Sequence, residues 1–414
     1  MAEREEAWSG DNLIGLVAYY INQDTQKAFI TNVSIDIRFQ KQGIATKLLE
    51  NAKCVAIEER MKLISLEVAQ DERLIDFYRH NGFVEEKQMP NGNKILIKNL
   101  VPIVVIRCTV YNHEPYLRDC LEGFVMQQTN FPFMAIVHDD ASTDNSAAII
   151  REYEEKYPNI IKPIYEKENQ WRKGTLTKVM NVAIEATGAK YVAMCEGDDY
   201  WTDPLKLQKQ VDFLEAHPEY SMCCNATRWL YSDNKTFDNN CNGKLINCDL
   251  STAEILEGGG LYINLASVVY RNIDAIREYR KSNWWSRADI GDFPLCIAAS
   301  LIGKVRYFSE IMCIYRYQHP GSWTDRNKKV NIKHLWTEIT WLQILDDETE
   351  RKFHSNIQRH LFKFWRSLYR ENQISITQYI HKYKEAEKLI PLSRLIKDIV
   401  RHFILLVKQP KTTR

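Results

Sequence analysis

The run Glu196-Gly197-Asp198-Asp199-Tyr200-Trp201-Thr202-Asp203-Pro204 decides how this chain folds and what it can do. It follows Tyr191-Val192-Ala193-Met194-Cys195, an apolar segment that stops abruptly in acid. Such a run, bounded by turn formers, reads as a buried strand. Carboxylates crowded at a strand end repel one another, and they are tolerable mainly where a cation sits among them. Magnesium and manganese choose oxygen ligands of this kind and commonly carry substrate phosphates. The bland alternative is a solvated turn, with Thr202 or Asp203 capping a helix that starts at Pro204. These residues alone weigh the two readings equally.

The chain has 414 residues. Single cores stop growing near roughly 250–300 residues, so two or more domains are expected. Lys plus Arg number 55 against 54 Asp plus Glu, so overall charge gives no argument for nucleic acid. Ten cysteines include the adjacent Cys223-Cys224 but no C-x-x-C pair, and Cys108 and Cys195 lie in apolar runs. Free thiols there pack as small hydrophobes, which suits a reducing cytosol. The opening MAEREEAWSGDN carries no apolar signal region. No apolar run approaches the roughly 20 residues needed to span a bilayer.

Around residue 100 the pattern restarts. Before it, strand-like 13–21, 28–35 and 63–68 alternate with helices at about 43–60 and 71–80, and a hairpin turns at Asn91-Gly92. After it, strands at 102–110, 134–140, 160–165 and 191–196 alternate with helices at 116–128, 144–157 and 175–187. That order predicts a parallel sheet with right-handed crossovers. From about 330 the chain turns helical and aromatic-rich. The expected domains are 1–100, 101–330 and 331–414.

Ligands of open α/β sheets bind beyond the carboxyl ends of strands. Polar clusters fall at three such ends: Thr109 to Asn112, His138 to Asp144, and Glu196 to Asp199. Each alone can be a helix cap, but three at one sheet edge point to a site. CTVYNHEPYLRDCLEGFVMQQTNFPFMAIVHDDASTDNS and YVAMCEGDDYWTDPLKLQKQVDFLE, within 102–325, resemble the GT-A family 2 glycosyltransferases of bacterial cell-surface polysaccharides. The resemblance implies a Rossmann-like, nucleotide-sugar-binding α/β fold and a Mn2+ or Mg2+ ion. It implies that Thr109 and Tyr111 line the base pocket and that Asp140 accepts a hydrogen bond from the base. Asp198 and Asp199 hold the metal against the donor diphosphate, with Glu196, in place of the commoner Asp, at the first acidic position. Asp292, in Ile290-Gly291-Asp292-Phe293-Pro294-Leu295, is the base of an inverting transfer. Asp289 competes for that role, and helix capping is the plain alternative for Asp292. Trp284 and Trp285 read as a sugar-stacking platform or as packing, with packing favoured for one of them. Tyr315 to Trp323 resembles a loop closing over donor phosphates, in which His319 would reach metal or diphosphate. The absence of Q-x-x-R-W implies single-sugar addition.

Residues 13–99 resemble the latter part of a GNAT acetyltransferase. Gln40-Lys41-Gln42-Gly43-Ile44-Ala45 matches its pyrophosphate loop and Phe77 to Phe83 its later signature. The resemblance implies that Gln40, Gly43 and Ala45 cradle acetyl-CoA at a helix N-terminus and that Tyr78 protonates the leaving thiolate. Asp71 stands where that family has Asn, and Glu67 is a base or a surface charge. The fold's first strand and two helices are expected to be missing. The unit then reads as a weakly active acetyltransferase, as a remnant, or with residues 1–12 as an artefact of the gene start.

In the tail, Leu392, Leu395, Ile396, Ile399, Val400, Phe403 and Val407 recur at helical spacing. Arg394, Lys397, Arg401, Lys408, Lys411 and Arg414 oppose one acid, Asp398. Such a basic amphipathic helix lies on an anionic membrane, or docks on the catalytic domain or a second subunit. The expected protein is a cytoplasmic enzyme at the inner face of the membrane. Its partners would be a nucleotide-sugar donor and a saccharide or lipid-linked acceptor, not nucleic acid. Two other classes stay open: a bifunctional enzyme that also N-acetylates an amino sugar, and a non-catalytic nucleotide- or sugar-binding scaffold.

Overall fold

The structure, a computed structural model, describes residues 2–326, 330–385, 392–393 and 395–400. The chain divides into two units, one of residues 1–105, 129–136 and 173–190, the other of the remainder.

The N-terminal segment builds a six-stranded sheet from β1 (Ala2–Ser9), β2 (Asn12–Asn22), β3 (Lys27–Ile35), β4 (Leu63–Val68), β5 (Val84–Gln88) and β6 (Lys94–Asn99). Helix α1 (Ile44–Glu58) lies between β3 and β4 in sequence, and α2 (Glu72–His80) between β4 and β5. The strand order is β1-β2-β3-β4-β6-β5. Only β3 and β4 pair in parallel, which is why that connection contains a helix. Period-two patterning sets the faces. Val17, Tyr19 and Ile21 of β2 point inward while Tyr20 is exposed, and they pack with Leu48, Ala52, Ile64 and Leu96. Residues 2–9 correct one expectation. The charged opening is an edge strand in register with β2 from Ala2 opposite Tyr20 to Ser9 opposite Asn12.

The second sheet has ten strands: β7 (Val104–Val110), β8 (Phe133–Asp139), β9 (Ile161–Tyr165), β10 (Tyr191–Met194), β11 (Tyr200–Trp201), β12 (Tyr220–Tyr231), β13 (Thr236–Asn239), β14 (Cys248–Leu250), β15 (Val269–Arg271) and β16 (Lys304–Tyr317). Its main path is β11-β16-β12-β15-β10-β7-β8-β9, with β13 on β12 and β14 on β16. Helices fill the connections: α3 (Leu117–Val125), α4 (Ser146–Lys156), α5 (Gln170–Lys173), α6 (Leu176–Ala186), α7 (Lys206–Ala216), α8 (Thr252–Gly258), α9 (Asp274–Lys281), α10 (Asn283–Arg287) and α11 (Asp292–Ile302). All four residues of β10 and most of β7 are buried. Continuous burial marks central strands covered on both faces, and it explains their unbroken apolar sequence. Tyr315 to Tyr317, expected in a loop, are instead the end of β16.

Past a short helix α12 (Trp323–Arg326), the C-terminal part is built of α13 (Ile332–Glu348), α14 (His354–Arg370) and α15 (Ile376–Glu385). Trp284 and Trp285 are both buried, packed with Tyr279, Trp341 and Arg280, so neither is a sugar platform. Asp398, the single acid set against the tail's basic residues, is buried. It accepts hydrogen bonds from Arg366, Arg370 and the Tyr379 hydroxyl. Leu395 is buried beside it, whereas Leu392, Ile396 and Val400 are exposed. Phe403, Val407, Arg394, Arg401, Lys408, Lys411 and Arg414 lie outside the described residues. Among those described, no helix is long and apolar enough to cross a membrane.

Gly259 closes α8 with φ 79°, and a Cβ there would lie 2.3 Å from His360 of α14. A side chain would meet both left-handed strain and overpacking, each costing about 1–3 kcal/mol. Gly259→Ala is therefore expected to lower unfolding free energy by about 2–4 kcal/mol in urea titration. A change within experimental error would show that the α8–α14 contact is loose.

Candidate active site

Four strand ends supply the site, those of β7, β8, β10 and β16, and three of them turn through a left-handed, non-glycine residue: Asn112 after β7 (φ 56°), Ala141 after β8 (φ 62°) and Gln318 after β16 (φ 55°). The first two turns are laced together. Asn112 N–H donates to Ser142 Oγ at 3.0 Å, Thr143 N–H to Asn112 Oδ1 at 2.7 Å and His113 N–H to Ser146 Oγ at 3.0 Å. Asp144 accepts from the N–H groups of Glu114 and Ser146. The polar residues that alone would be caps therefore hold two loops together.

The acidic run leaves β10 and splits into three roles. Glu196 is engaged on both oxygens, by Arg107 Nη1 at 3.1 Å and Thr109 N–H at 3.0 Å. Asp198 Oδ2 lies 2.9 Å from His319 Nε2 and 4.0 Å from His113 Nε2. Burial alone would raise its pKa, but these two imidazoles outweigh it and hold the carboxyl at about 2. Asp199 is buried and accepts the Arg316 backbone N–H at 2.9 Å. Burial, followed by the charge of Asp198, pushes its pKa well above the ordinary carboxylate range. The two neighbours are thus driven apart, as expected of carboxylates short of a positive charge.

The surroundings fit a hard divalent cation with an anionic ligand. His113 Nδ1 and Thr109 Oγ1 are buried without a hydrogen-bond partner. Gly197 lets these groups pack closely against the acidic run, since a Cβ would lie 2.8 Å from both His113 Nδ1 and Val110 Cγ2. Arg316 closes the far side. Its guanidinium sits between the rings of Tyr116 and Tyr200, at 5.1 and 4.5 Å, and donates to Asp198 O at 2.7 Å and to Asp119. Arg316, Arg107 and His113 were not singled out from sequence. The one available signal was an arginine between two tyrosines at the end of the apolar run Ile311 to Tyr315.

Tyr111 is half-buried, with the Arg172 guanidinium 5.9 Å from its ring centre. Asp140 is buried, and its oxygens accept the N–H groups of Gln170 at 2.6 Å and Trp171 at 3.1 Å, capping α5. Asp292 is the first residue of α11, directly after its N-cap Gly291. Burial, then the charge of Glu196, raises its pKa to about 6. Asp289 is instead paired with His334 Nδ1 at 2.9 Å. Together with Glu338 these form, away from the acidic run, a group whose potential ligand atoms lie within 4.8 Å of one another.

In the N-terminal sheet, Gly43 (φ 79°) precedes α1, Gln40 to Gly43 are exposed and Ala45 is half-buried. Tyr78 is buried against Phe77 and Phe83, which raises its pKa. Asp71 caps α2 by accepting from Arg73 N–H. Glu67 accepts from Asn91 and Asn93, which hold its pKa down.

Family models match at two places: glycosyl transferase family 2 over residues 105–282 and the acetyltransferase (GNAT) family over 3–83. The uncharacterized protein Rv1520 of Mycobacterium tuberculosis is 37% identical over 222 residues, 53% of this chain and 61% of the relative. The chain thus spans about three fifths of the length of that relative. Bacillus subtilis TuaG, named as a teichuronic acid biosynthesis glycosyltransferase, is 32% identical over 116 residues, 28% of this chain and 43% of its own length. The structure of S. aureus TarS 1–349 in complex with UDP-GlcNAc is 17% identical with a TM-score of 0.49, over 70% of this chain and 81% of that one. The chain therefore carries a glycosyl transferase family 2 domain, with a GNAT acetyltransferase-family domain ahead of it.

Proposed function

We propose that the chain is an inverting, metal-dependent glycosyltransferase. It moves a sugar from a nucleoside-diphosphate donor to a saccharide or lipid-linked acceptor in cell-surface polysaccharide synthesis. One observation carries the reading: the buried Asp199, next to the His-paired Asp198, has its carboxyl driven up with no cationic side chain bonded to it, beside the orphaned His113 and Thr109 atoms. Asp198 and Asp199 hold Mn2+ or Mg2+, which when bound stabilises the departing diphosphate. Glu196, fixed by Arg107 and Thr109, positions the strand end. Thr109 and Tyr111 line the base pocket, and Asp140 holds its wall through Gln170 and Trp171. Asp292 takes the acceptor hydroxyl proton. A carboxyl with a pKa near 6 is a stronger base than an ordinary aspartate and is still ionised at neutral pH. The named role of TuaG in teichuronic acid synthesis supports the polysaccharide setting.

Asp292→Asn is expected to lower kcat by about 10²–10⁴-fold. The stabilisation of the protein by a nucleoside diphosphate with Mn2+ should survive in that variant. The wild-type rate should rise with pH through about 6, because only the ionised carboxylate accepts the proton. Full activity in Asp292→Asn removes this base, and no thermal shift with any nucleoside diphosphate and metal removes the whole reading.

A second activity attaches to the N-terminal domain, where the exposed Gln40–Gly43 turn at the start of α1 suits the pyrophosphate of acetyl-CoA. Acetyl-CoA is expected to raise Tm, and Tyr78→Phe to keep that shift while slowing acetyl transfer. Absence of the shift would leave a domain without this cofactor. Exposed Leu392, Ile396 and Val400 beside Lys397 support peripheral contact with the inner membrane face. Cosedimentation with anionic vesicles should weaken in Ile396→Glu, and equal binding by both proteins would exclude this helix.

A further inference from the structure

The ends of β12 and β16 run parallel, with Trp229 opposite Tyr315 and Tyr231 opposite Tyr317, while Phe237 of β13 faces Trp229 from the other side. Residues paired in this way, and residues two apart, share one sheet face. The result is a continuous aromatic wall. Trp229 stacks on Tyr317 with ring centres 4.7 Å apart at 20°, and meets Tyr315 at 5.7 Å and Phe237 at 5.8 Å. Tyr231 meets Tyr317 at 5.3 Å.

The wall is more open than the tryptophan core of the same domain. Trp201, Trp284 and Trp341 are fully buried, whereas Trp229, Tyr231, Tyr315 and Tyr317 are only half-buried and Phe237 is exposed. Its indole is fixed in orientation. Trp229 Nε1 donates to Asn264 Oδ1 at 2.7 Å, and that same buried oxygen accepts from Asn239 Nδ2 at 2.9 Å. Amides rim the wall, including Gln318, whose Nε2 donates to the Tyr317 hydroxyl. The wall is also continuous with the acidic site. Tyr315 precedes Arg316, whose N–H holds Asp199, and burial together with the charges of Asp199, Asp198 and Asp292 raises the Tyr315 pKa.

We propose that Trp229, Tyr315 and Tyr317 form the acceptor subsite, a half-buried aromatic cluster in which the stacked Trp229–Tyr317 pair offers an outer ring face to one face of a pyranose ring and presents its hydroxyl toward Asp292. A pyranose matches this surface twice over. Its ring face offers several weakly positive C–H groups to the negative π-face, and its equatorial hydroxyls reach the amide rim. The inference rests on the glycosyl-transfer reading, which the nucleotide thermal shift tests separately.

The test is saturation-transfer NMR on the full chain. Aromatic protein protons are irradiated in the presence of methyl β-D-glucopyranoside or the methyl glycoside of N-acetylglucosamine. Saturation is expected to reach the sugar ring protons. It should fall at least about fivefold in Trp229→Ala and in Tyr317→Ala, and persist in Trp229→Phe. The thermal shift by nucleoside diphosphate and Mn2+ should be unchanged in all three variants, showing that they fold. No transfer to either glycoside in the wild type, or undiminished transfer in the Trp229→Ala/Tyr317→Ala double variant, overturns the subsite. With the nucleotide shift intact, either result leaves the transferase reading standing.

Discussion

Two adjacent carboxylates at the end of a buried strand cannot both remain ionised unless the surrounding fold supplies positive charge. That constraint organises the catalytic domain. Glu196, next to them, is matched by Arg107 from β7. Asp198 is matched by His319, which follows β16, and more distantly by His113, which follows β7. Asp199 receives only a backbone N–H, from Arg316, and it is the acid whose pKa is driven up. A buried charge without a partner is costly by several kcal/mol. Asp199 is therefore the acid of the cluster that the protein alone leaves without a bonded cation.

The backbone around these acids is under related strain. Asn112, Ala141 and Gln318 each take a left-handed conformation at a strand end, which costs about 1–2 kcal/mol for a residue with a Cβ. Such turns persist where surrounding hydrogen bonds over-determine them. The Asn112–Ser142, Asn112–Thr143 and Glu114–Asp144 bonds do so for the first two. Packing is equally tight: Gly123 lies so close to the Trp201 backbone that a Cβ would sit 2.9 Å from its nitrogen. The α3–β11 contact thus anchors the acidic run from behind.

Strand β16 serves both faces of its sheet through the period-two alternation of side chains. Arg316 points to one side, between Tyr116 and Tyr200, and braces Asp198 and Asp119. Tyr315 and Tyr317 point to the other and build the aromatic wall with Trp229. One strand end thus serves the acidic cluster on one side and the aromatic wall on the other.

Much of this was legible locally. Apolar runs of strand length predicted β2, β4 and β7 to β10 within a few residues, and polar clusters marked the strand ends where the site forms. Periodicity and turn chemistry are short-range properties, so one sequence window contains them. Other features needed neighbours remote in the chain. Glu196 meets Arg107 across 89 residues, and Asp140 is held by amides 30 and 31 residues on. Asp398 looks like a solvated acid in its own helix until Arg366, Arg370 and Tyr379 close over it. Both Trp284 and Trp285 are buried by the packing around Trp341, whereas Trp229 is left half-open by the register of three strands. The sequence by itself determined the strand–helix alternation and the chemical types gathered at the sheet edge. Only the tertiary structure decided which acid is paired, which is short of charge and which aromatic face stays open, because charge balance and burial depend on every group within a few ångströms, wherever it lies in the chain.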